Sequence, residues 1–206
     1  MPIKKTWGLF ASIAGTIAAL AVPSAAFAGG AAQPGYVDPL PTESCVHPPA
    51  IQALLAYGDE NLYTLAPGGA FSDPAGWELL GNASMGSADQ ADGSTGGVLN
   101  LPPGSQATSP PMCITVDYPT ARLWARGLDG SADVEFNVVY WKNGEWTKPK
   151  HTGNFKGDKK GWGLSKEMKC NPEKHADWQQ VRFVLFNDGK SNVQVDNFWV
   201  DPRASR

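Results

Sequence analysis

The feature of this sequence that most limits its fold is a two-residue alternation of apolar and polar side chains in several short runs. Residues 120–126 (TARLWAR) and 133–141 (DVEFNVVYW) alternate over their whole length. This is the period of a β-strand with one buried face, because successive side chains of a strand point to opposite sides of the sheet. The side chains predicted to face the core are Ala121, Leu123 and Ala125 in the first run and Val134, Phe136, Val138 and Tyr140 in the second. Because glycine and proline interrupt the chain at short intervals and leave no long helical period, the sequence predicts an all-β sandwich or barrel.

Two local signals refine this strand pattern. Asn143 and Gly144 lie between alternating runs, and an Asn-Gly pair in that position favours a two-residue type I′ hairpin turn. In the closing run, residues 193–200 (VQVDNFWV), the apolar alternation changes phase between its two halves. All its apolar side chains can share one face only if a residue is inserted, so we predict a β-bulge at Asp196 and Asn197.

The first residues have the features of an export signal. Lys4 and Lys5 precede an apolar stretch, and residues 26–28 (AFA) give the A-x-A pattern that signal peptidase recognises. The apolar stretch is shorter than the roughly 20 residues that span a bilayer. We therefore expect residues 1–28 to be a signal peptide and the mature protein to be secreted, extracellular and without a membrane span.

The rest of the chain is expected to consist of a tether and one domain. Residues 29–60 are rich in glycine, proline and alanine, which is typical of a linker without a core of its own. Residues 61–202 contain the alternating runs and are long enough for one β-sandwich domain. Within it, Phe71 and Trp77 lie beside Gly/Pro breaks and are expected to fill the first contact between two sheets. Residues 86–97, rich in glycine and serine, are expected to form a loop.

Charge and cysteine content limit the partners and the compartment. Without Lys4 and Lys5 the chain carries 15 basic and 20 acidic side chains, and this acidic balance argues against a nucleic-acid partner. An exported chain meets an oxidising compartment, where a disulfide is expected. The three cysteines allow three single pairings. We favour Cys45 with Cys113, because both lie beside proline pairs that indicate loops rather than strand centres. Cys170 would then be free or would pair with another molecule.

Three motifs together resemble one structural family. Residues 67–77 (PGGAFSDPAGW) resemble the N-G-x-F-E-x-G-x-x-G-W opening of galactose-binding-like jelly rolls, the fold of many carbohydrate-binding modules. Residues 120–126 resemble their Y-x-L-x-F-W-A-R strand, and residues 193–202 resemble their closing I-D-D-V-x-L strand. Residues 101–113 are similar to secreted bacterial proteins of this build. Over residues 62–202 the resemblance implies a jelly-roll β-sandwich of two antiparallel sheets that binds carbohydrate.

The same resemblance implies a structural calcium ion, which many of these modules carry. One ligand follows the phenylalanine of the opening motif, and another is the aspartate of the last strand. Here Ser72 stands at the first position with Asp73 beside it, and Asp196 matches the second. Asp73 and Asp196 are therefore the candidate calcium ligands, and no other cofactor is expected. In the alternative interpretation, Asp196 is a bulge residue that caps its own turn.

The sharpest candidate for a ligand-binding surface is Trp124 between Arg122 and Arg126. A tryptophan ring offers an apolar plane to sugar C–H groups, and arginine donates paired hydrogen bonds to hydroxyls or carboxylates. Trp141 and Asn137 extend this surface in the next alternating run, and an open groove with Trp124 and Trp141 on its floor would favour the binding interpretation. In the alternative, the arginines stack on Trp124, pair with acidic neighbours, and a loop covers the ring.

The chemistry-bearing residues predict binding rather than catalysis. His47, His151 and His175 lack the spacing of a zinc site, and no G-x-S-x-G nucleophile motif occurs. We therefore expect a secreted, non-catalytic binding module for carbohydrate or a cell-wall polymer. A structural or protein-interaction sandwich with a covered Trp124 is the alternative. An extracellular hydrolase is a more remote one, because glycoside hydrolysis needs only two carboxylates at a set distance.

Overall fold

The computed structural model describes residues 49–115, 117, 119–157, 161–172 and 178–203, which all belong to the compact unit Pro34–Arg206. This part of the chain forms fourteen β-strands and a three-residue 3-10 helix, Leu55–Tyr57. In chain order the strands are β1 (Thr64–Leu65), β2 (Glu78–Leu80), β3 (Ser84–Asp89), β4 (Thr95–Leu101), β5 (Gln106–Thr108), β6 (Met112–Thr115), β7 (Thr120–Gly127), β8 (Ala132–Lys142), β9 (Glu145–Trp146), β10 (Lys150–Gly157), β11 (Gly163–Leu164), β12 (Met168–Lys169), β13 (Trp178–Asn187) and β14 (Val193–Asp201).

The strands form two antiparallel sheets of seven strands each. Sheet 1 has the order β11-β7-β14-β4-β3, with β1 paired to β14 and β12 paired to β7. Sheet 2 has the order β10-β8-β13-β5-β2, with β6 paired to β13 and β9 paired to β8. The predicted all-β fold, a jelly-roll sandwich of two antiparallel sheets, is confirmed.

Each sheet turns one apolar face toward the other, as the alternation predicts. The buried side chains of β7 and β8 are Ala121, Leu123, Ala125, Val134, Phe136, Val138 and Tyr140. At the centre, the ring centroids of Phe136, Phe183 and Phe198 lie 5.6, 6.0 and 5.2 Å apart in pairs. Phe71 and Trp77 are also buried, with their centroids 5.3 Å apart. Burying each such ring contributes about 1.5–3 kcal/mol, so these contacts hold the two sheets together.

Both local predictions about turns and pairing are confirmed. The pairing of β14 with β7 shifts register between Asp196 and Trp199, and Asn197 has a φ of 45°. This bulge turns the second half of β14 so that its apolar side chains reach the core. Asn143 and Gly144 have φ values of 53° and 85°, as a type I′ turn requires, and they join β8 to β9.

Two segment boundaries differ from the prediction. Residues 86–97 belong mostly to the β3–β4 hairpin rather than to a loop, because small side chains hide the alternation without preventing strand pairing. Glycine is needed there: a Cβ atom on Gly97 would lie 2.4 Å from the carbonyl carbon of Phe71. The end of the predicted tether is also part of the domain. Ile51 pairs with Tyr63, and the apolar side chain of Leu54 is buried.

Other predictions concern residues outside the described part of the chain. They are the signal peptide at 1–28, most of the tether, Cys45, His47 and His175. Cys113 lies in β6 rather than in the predicted loop, because the strand begins directly after the proline pair. Cys170 is a buried free thiol. The Cys45–Cys113 disulfide remains a prediction. Within the described ranges, no helix has the length and apolar character of a membrane span.

Candidate ligand-binding face

The structure separates the residues that the sequence placed in one groove. Arg122, Trp124 and Arg126 lie on the outer face of sheet 1, whereas Asn137 and Trp141 lie on the outer face of sheet 2. The two tryptophans therefore do not share the floor of one groove. Alternation fixes which side chains point away from the core, but the turn after β7 carries the chain to the other sheet. Outward residues of β7 and β8 consequently lie on opposite sides of the molecule.

On the outer face of sheet 1, Arg122 is held by internal partners. Its guanidinium forms an ion pair with Asp59, and its Nε and Nη2 donate hydrogen bonds to Ser165 O over 3.0 and 2.7 Å. Both Asp59 and Ser165 are buried. The Ser165 Oγ also accepts a hydrogen bond from Leu123 N over 3.0 Å. Arg122 therefore connects β7 to two other segments of the chain instead of facing a ligand.

The other two predicted ligand side chains on this face are covered as well. Tyr57 packs edge-on against the half-buried Trp124, with ring centroids 4.7 Å apart and an angle of 70° between the planes. Arg126 Nε donates to Gln194 Oε1 over 2.9 Å. The Arg126 guanidinium also lies 4.5 Å from the ring centroid of Trp162. These contacts match the alternative in which other parts of the chain cover Trp124, and not a surface that is open to a ligand.

Buried carboxylates give this closed face its electrostatic character. Burial disfavours the ionised form of Asp59, but hydrogen bonds from Arg122 and Tyr63 outweigh it and lower the pKa of Asp59. Burial raises the pKa of Asp201 to about 6, and the nearby charges of Asp59 and Glu167 add to this rise. On this face, partners within the chain therefore favour the ionised form of Asp59, whereas burial favours the neutral form of Asp201.

The outer face of sheet 2 carries an exposed aromatic pair. Trp141 is 41% exposed, more than any other tryptophan in the described residues, and its ring lies edge-on to Trp146 with centroids 5.0 Å apart. The type I′ turn sets these two residues opposite each other on β8 and β9. Beside them, the Arg182 guanidinium lies 5.8 Å from the Trp146 ring centroid. Arg182 Nε donates to Ser109 O over 2.8 Å, and Nη1 pairs with Glu78 at 2.7 Å.

Apolar and polar side chains continue from the aromatic pair along β8. Asn137 and Val139 share the outward phase of Trp141 but are only 6% and 8% exposed, so they form the floor of this face. Farther along, Glu135 Oε1 lies 3.3 Å from His151 Nδ1 on β10. The face thus offers ring surfaces at one end, followed by amide, carboxylate and imidazole groups. A sugar polymer, with apolar C–H faces and hydroxyl groups, matches this combination.

The predicted calcium ligands do not form a cation site. Asp196 is fully buried, but its Oδ1 and Oδ2 accept hydrogen bonds from Gln90 Nε2 and Ala91 N over 2.9 Å each. Asp73 lies in an exposed turn, where its Oδ1 accepts from Ala75 N over 2.9 Å. Among the described residues, no three His, Cys, Asp or Glu side chains are grouped so that they could hold a metal. Because calcium needs several free oxygen ligands, these residues do not fit the ion.

Sequence reasoning missed several residues that distinguish the two faces. Arg182 carries a usable signal, since it lies in the outward phase of residues 181–187 (VRFVLFN), whose core phase is plain. Tyr57, Asp59 and Ser165 carry none. A single polar or aromatic residue in a connection does not reveal that its partner lies on β7.

Comparisons with known proteins assign no family to this chain. No protein-family model matches the chain, and no curated protein matches it. One similar solved structure contains the CBM22-1 and GH10 modules of Clostridium thermocellum endo-1,4-beta-D-xylanase 10B, complexed with xylohexaose. It is 12% identical, covers 63% of this chain and 26% of that chain, and has a TM-score of 0.49.

Two further structures are isolated binding modules. The CBM22-1 xylan-binding domain of Paenibacillus barcinonensis Xyn10C is 12% identical over 66% of this chain and 93% of that chain, with a TM-score of 0.47. TmCBM61, in complex with beta-1,4-galactotriose, is 11% identical over 66% of this chain and 96% of that chain, with a TM-score of 0.43. At such low identity and TM-score, these likenesses carry no argument about the ligand of this chain.

Proposed function

We propose that the protein is an exported, non-catalytic module that binds a neutral polysaccharide along the outer face of sheet 2. The observation that carries this proposal is the exposed ring of Trp141, set edge-on to Trp146 on a sheet face that also carries polar side chains. Covering apolar surface contributes about 25 cal/mol per Å². The exposed indole of Trp141 can therefore gain binding free energy when a sugar ring stacks on it and covers it.

The length and openness of the face favour a polymer over a small molecule. The outward residues run along β8 from Trp141 to Glu135. The six residue-to-residue steps between them extend roughly 20 Å, which accommodates several sugar units. The polar groups of Asn137, Glu135 and His151 lie along this length, so hydroxyl groups of successive sugars can exchange hydrogen bonds with them.

The pairing of charges favours a neutral chain over an acidic one. Two carboxylates of this face form ion pairs, Asp133 with Lys156 at 3.1 Å and Glu78 with Arg182 at 2.7 Å, and a third, Glu135, lies 3.3 Å from His151. An anionic polymer would have to displace these carboxylates or accept their repulsion. A neutral polysaccharide of a cell surface or cell wall meets no such barrier.

A protein partner is the second candidate for the same face. Leu80 on β2 is 58% exposed, and Phe186 on β13 is half-buried, so apolar surface also lies away from the aromatic pair. Protein-binding surfaces combine aromatic anchors with such apolar neighbours. If the ligand is a polysaccharide, an insoluble polysaccharide should retain the purified protein. If the ligand is another protein, no polysaccharide should retain it.

Retention of the purified protein on insoluble polysaccharides tests the proposal. The panel contains cellulose, xylan, mannan and purified cell wall, with polygalacturonate as an acidic competitor. We expect a neutral polysaccharide to retain the parent protein and polygalacturonate not to compete. Trp141→Ala should weaken retention about 30-fold, because truncating a central aromatic contact costs about 2 kcal/mol.

Tyr57→Ala is the matched control, since Tyr57 is a comparably exposed aromatic residue (52%) on the outer face of sheet 1. We expect this variant to bind like the parent. Loss of binding in Tyr57→Ala but not in Trp141→Ala would move the site to sheet 1. Failure of every polysaccharide to retain the parent would contradict glycan binding and favour the protein partner.

A further inference from the structure

The loop between β3 and β4 is fastened to β14 by hydrogen bonds to Asp196, one of them from the side-chain amide of Gln90. Gln90 Nε2 donates hydrogen bonds to Gly97 O over 3.0 Å and to Asp196 Oδ1 over 2.9 Å. The other end of the amide, Gln90 Oε1, accepts from Ser94 Oγ over 3.0 Å. These contacts fix the orientation of the amide, because the opposite orientation would set its oxygen against two acceptor oxygens.

The residues next to the Gln90 amide form hydrogen bonds and leave space that fit its position. Ala91 N donates to the second oxygen of Asp196 over 2.9 Å, so both oxygens of this fully buried carboxylate are satisfied. A Cβ atom on Gly96 would lie 2.4 Å from Gln90 Oε1, so a side chain at this position would displace the amide. On the far side, Trp162 Nε1 donates to Asp89 O over 3.1 Å and closes the loop over the sheet.

Two oxygens in this arrangement are of the kind that cations use as ligands. A backbone carbonyl oxygen, Gly97 O, and a carboxylate oxygen of Asp196 both point at one atom, Gln90 Nε2. Carbonyl and carboxylate oxygens that converge in this way are typical calcium ligands. Here the two N–H bonds of a neutral amide satisfy both oxygens, and no positive charge enters.

We propose that the Gln90 amide occupies the position of a divalent cation, so that this loop is held on the sandwich without a metal. It follows that a single change, Gln90→Glu, turns a metal-free contact into a metal-dependent one. The substitution replaces two donors with a second carboxylate against Asp196 and Gly97 O. The resulting oxygen cluster repels itself unless a cation enters.

Thermal unfolding of the purified protein in excess EDTA and in millimolar calcium chloride tests this proposal. We expect the Tm of the parent to be the same in both. In EDTA, Gln90→Glu should lower the Tm by roughly 5–10 °C, because a buried charge-assisted contact is replaced by a like-charge pair. Calcium should restore most of this loss. Bound terbium, excited through nearby tryptophans, should luminesce with Gln90→Glu and not with the parent.

Gln106→Glu is the matched control, because Gln106 also donates through Nε2, to Thr108 Oγ1 over 3.3 Å, but on the outer face of sheet 2. Its Tm should not respond to calcium. A parent Tm that rises with calcium, or a Gln90→Glu Tm that calcium does not restore, would overturn the proposal. If Gln90→Glu does not fold, Gln90→Ala decides: equal loss of Tm in both buffers supports the proposal, and no loss contradicts it.

Discussion

The outer faces of the two sheets have similar sequences and different structures. Each has a tryptophan in the outward phase of a long strand, Trp124 on β7 and Trp141 on β8, with charged residues at neighbouring positions. On sheet 1 the charged neighbours find partners in distant parts of the chain, and Tyr57 covers the ring. On sheet 2 the charged side chains pair within the face, and Trp141 remains exposed.

The difference comes from the connections rather than from the strands. Some strands of sheet 1 are joined to connections long enough to fold back over the sheet. These connections supply Asp59, Ser165 and Trp162. On sheet 2, β8 turns into β9 through two residues, Asn143 and Gly144. A turn this short cannot cover the strand it follows. An outward aromatic residue is thus a candidate for binding only where the adjacent connections are short.

The ion pairs of the two faces should differ most in stability. Arg122→Ala leaves the Asp59 carboxylate buried without its partner, which costs about 3–5 kcal/mol of unfolding free energy. Lys156→Ala removes the exposed pair with Asp133 on sheet 2 and should cost less than about 1 kcal/mol. Urea denaturation of both variants measures the difference. Equal losses would mean that the outer face of sheet 1 is as open as that of sheet 2.

The pH dependence of stability should come in part from the closed face. The pKa of Asp201 is raised to about 6 from an ordinary 3.8, so its neutral form is favoured in the folded protein. Its contribution to stability is complete below pH 3.8 and is lost as the pH rises through 6; the difference amounts to about 3 kcal/mol. Asp201→Asn keeps an acceptor for Arg203 N and removes the charge.

We therefore expect Asp201→Asn to be more stable than the parent at pH 7 and equal to it near pH 3.5. The groups whose charges act on Asp201 are Asp59, Glu167 and Arg203, all present in both proteins. Denaturant titrations at the two pH values measure the difference. A variant that is less stable than the parent at pH 7 would show that the ionised carboxylate is needed.

The smallest effect should come from the turn that positions the aromatic pair. Gly144 has a φ of 85°, and Gly144→Ala should cost about 1 kcal/mol of local strain. Because the strain displaces Trp146 relative to Trp141, glycan affinity should fall while global stability changes little. Gly93→Ala is the control, since Gly93 has a φ of 84° with equally open surroundings, but in the β3–β4 connection. Equal affinity losses in both variants would contradict a role for the turn.

The sequence was sufficient for features that depend on local alternation. The core faces of β7 and β8, the bulge at Asp196 and Asn197, and the type I′ turn all follow from side-chain period and turn chemistry within a few residues. These signals are strong because a one-residue error would expose a whole apolar face.

The assignment of strands to sheets and the covering of surfaces could not be predicted in this way. Nothing local to residues 120–141 shows that β7 and β8 belong to different sheets. The ion pair of Arg122 with Asp59 joins residues far apart in sequence, and one polar residue in a connection does not identify its partner. The β3 strand was missed because glycine, serine and alanine side chains hardly alternate in polarity.

Chemical-shift mapping of the indole N–H groups tests the contrast between the two faces most directly. The probe is a soluble oligosaccharide of whichever polysaccharide retains the protein. We expect the resonances of Trp141 and Trp146 to shift on titration and those of Trp124 and Trp162 to stay in place. Shifts confined to Trp124 and Trp162 would contradict this expectation, because they would show that the covered face of sheet 1 opens to bind the ligand.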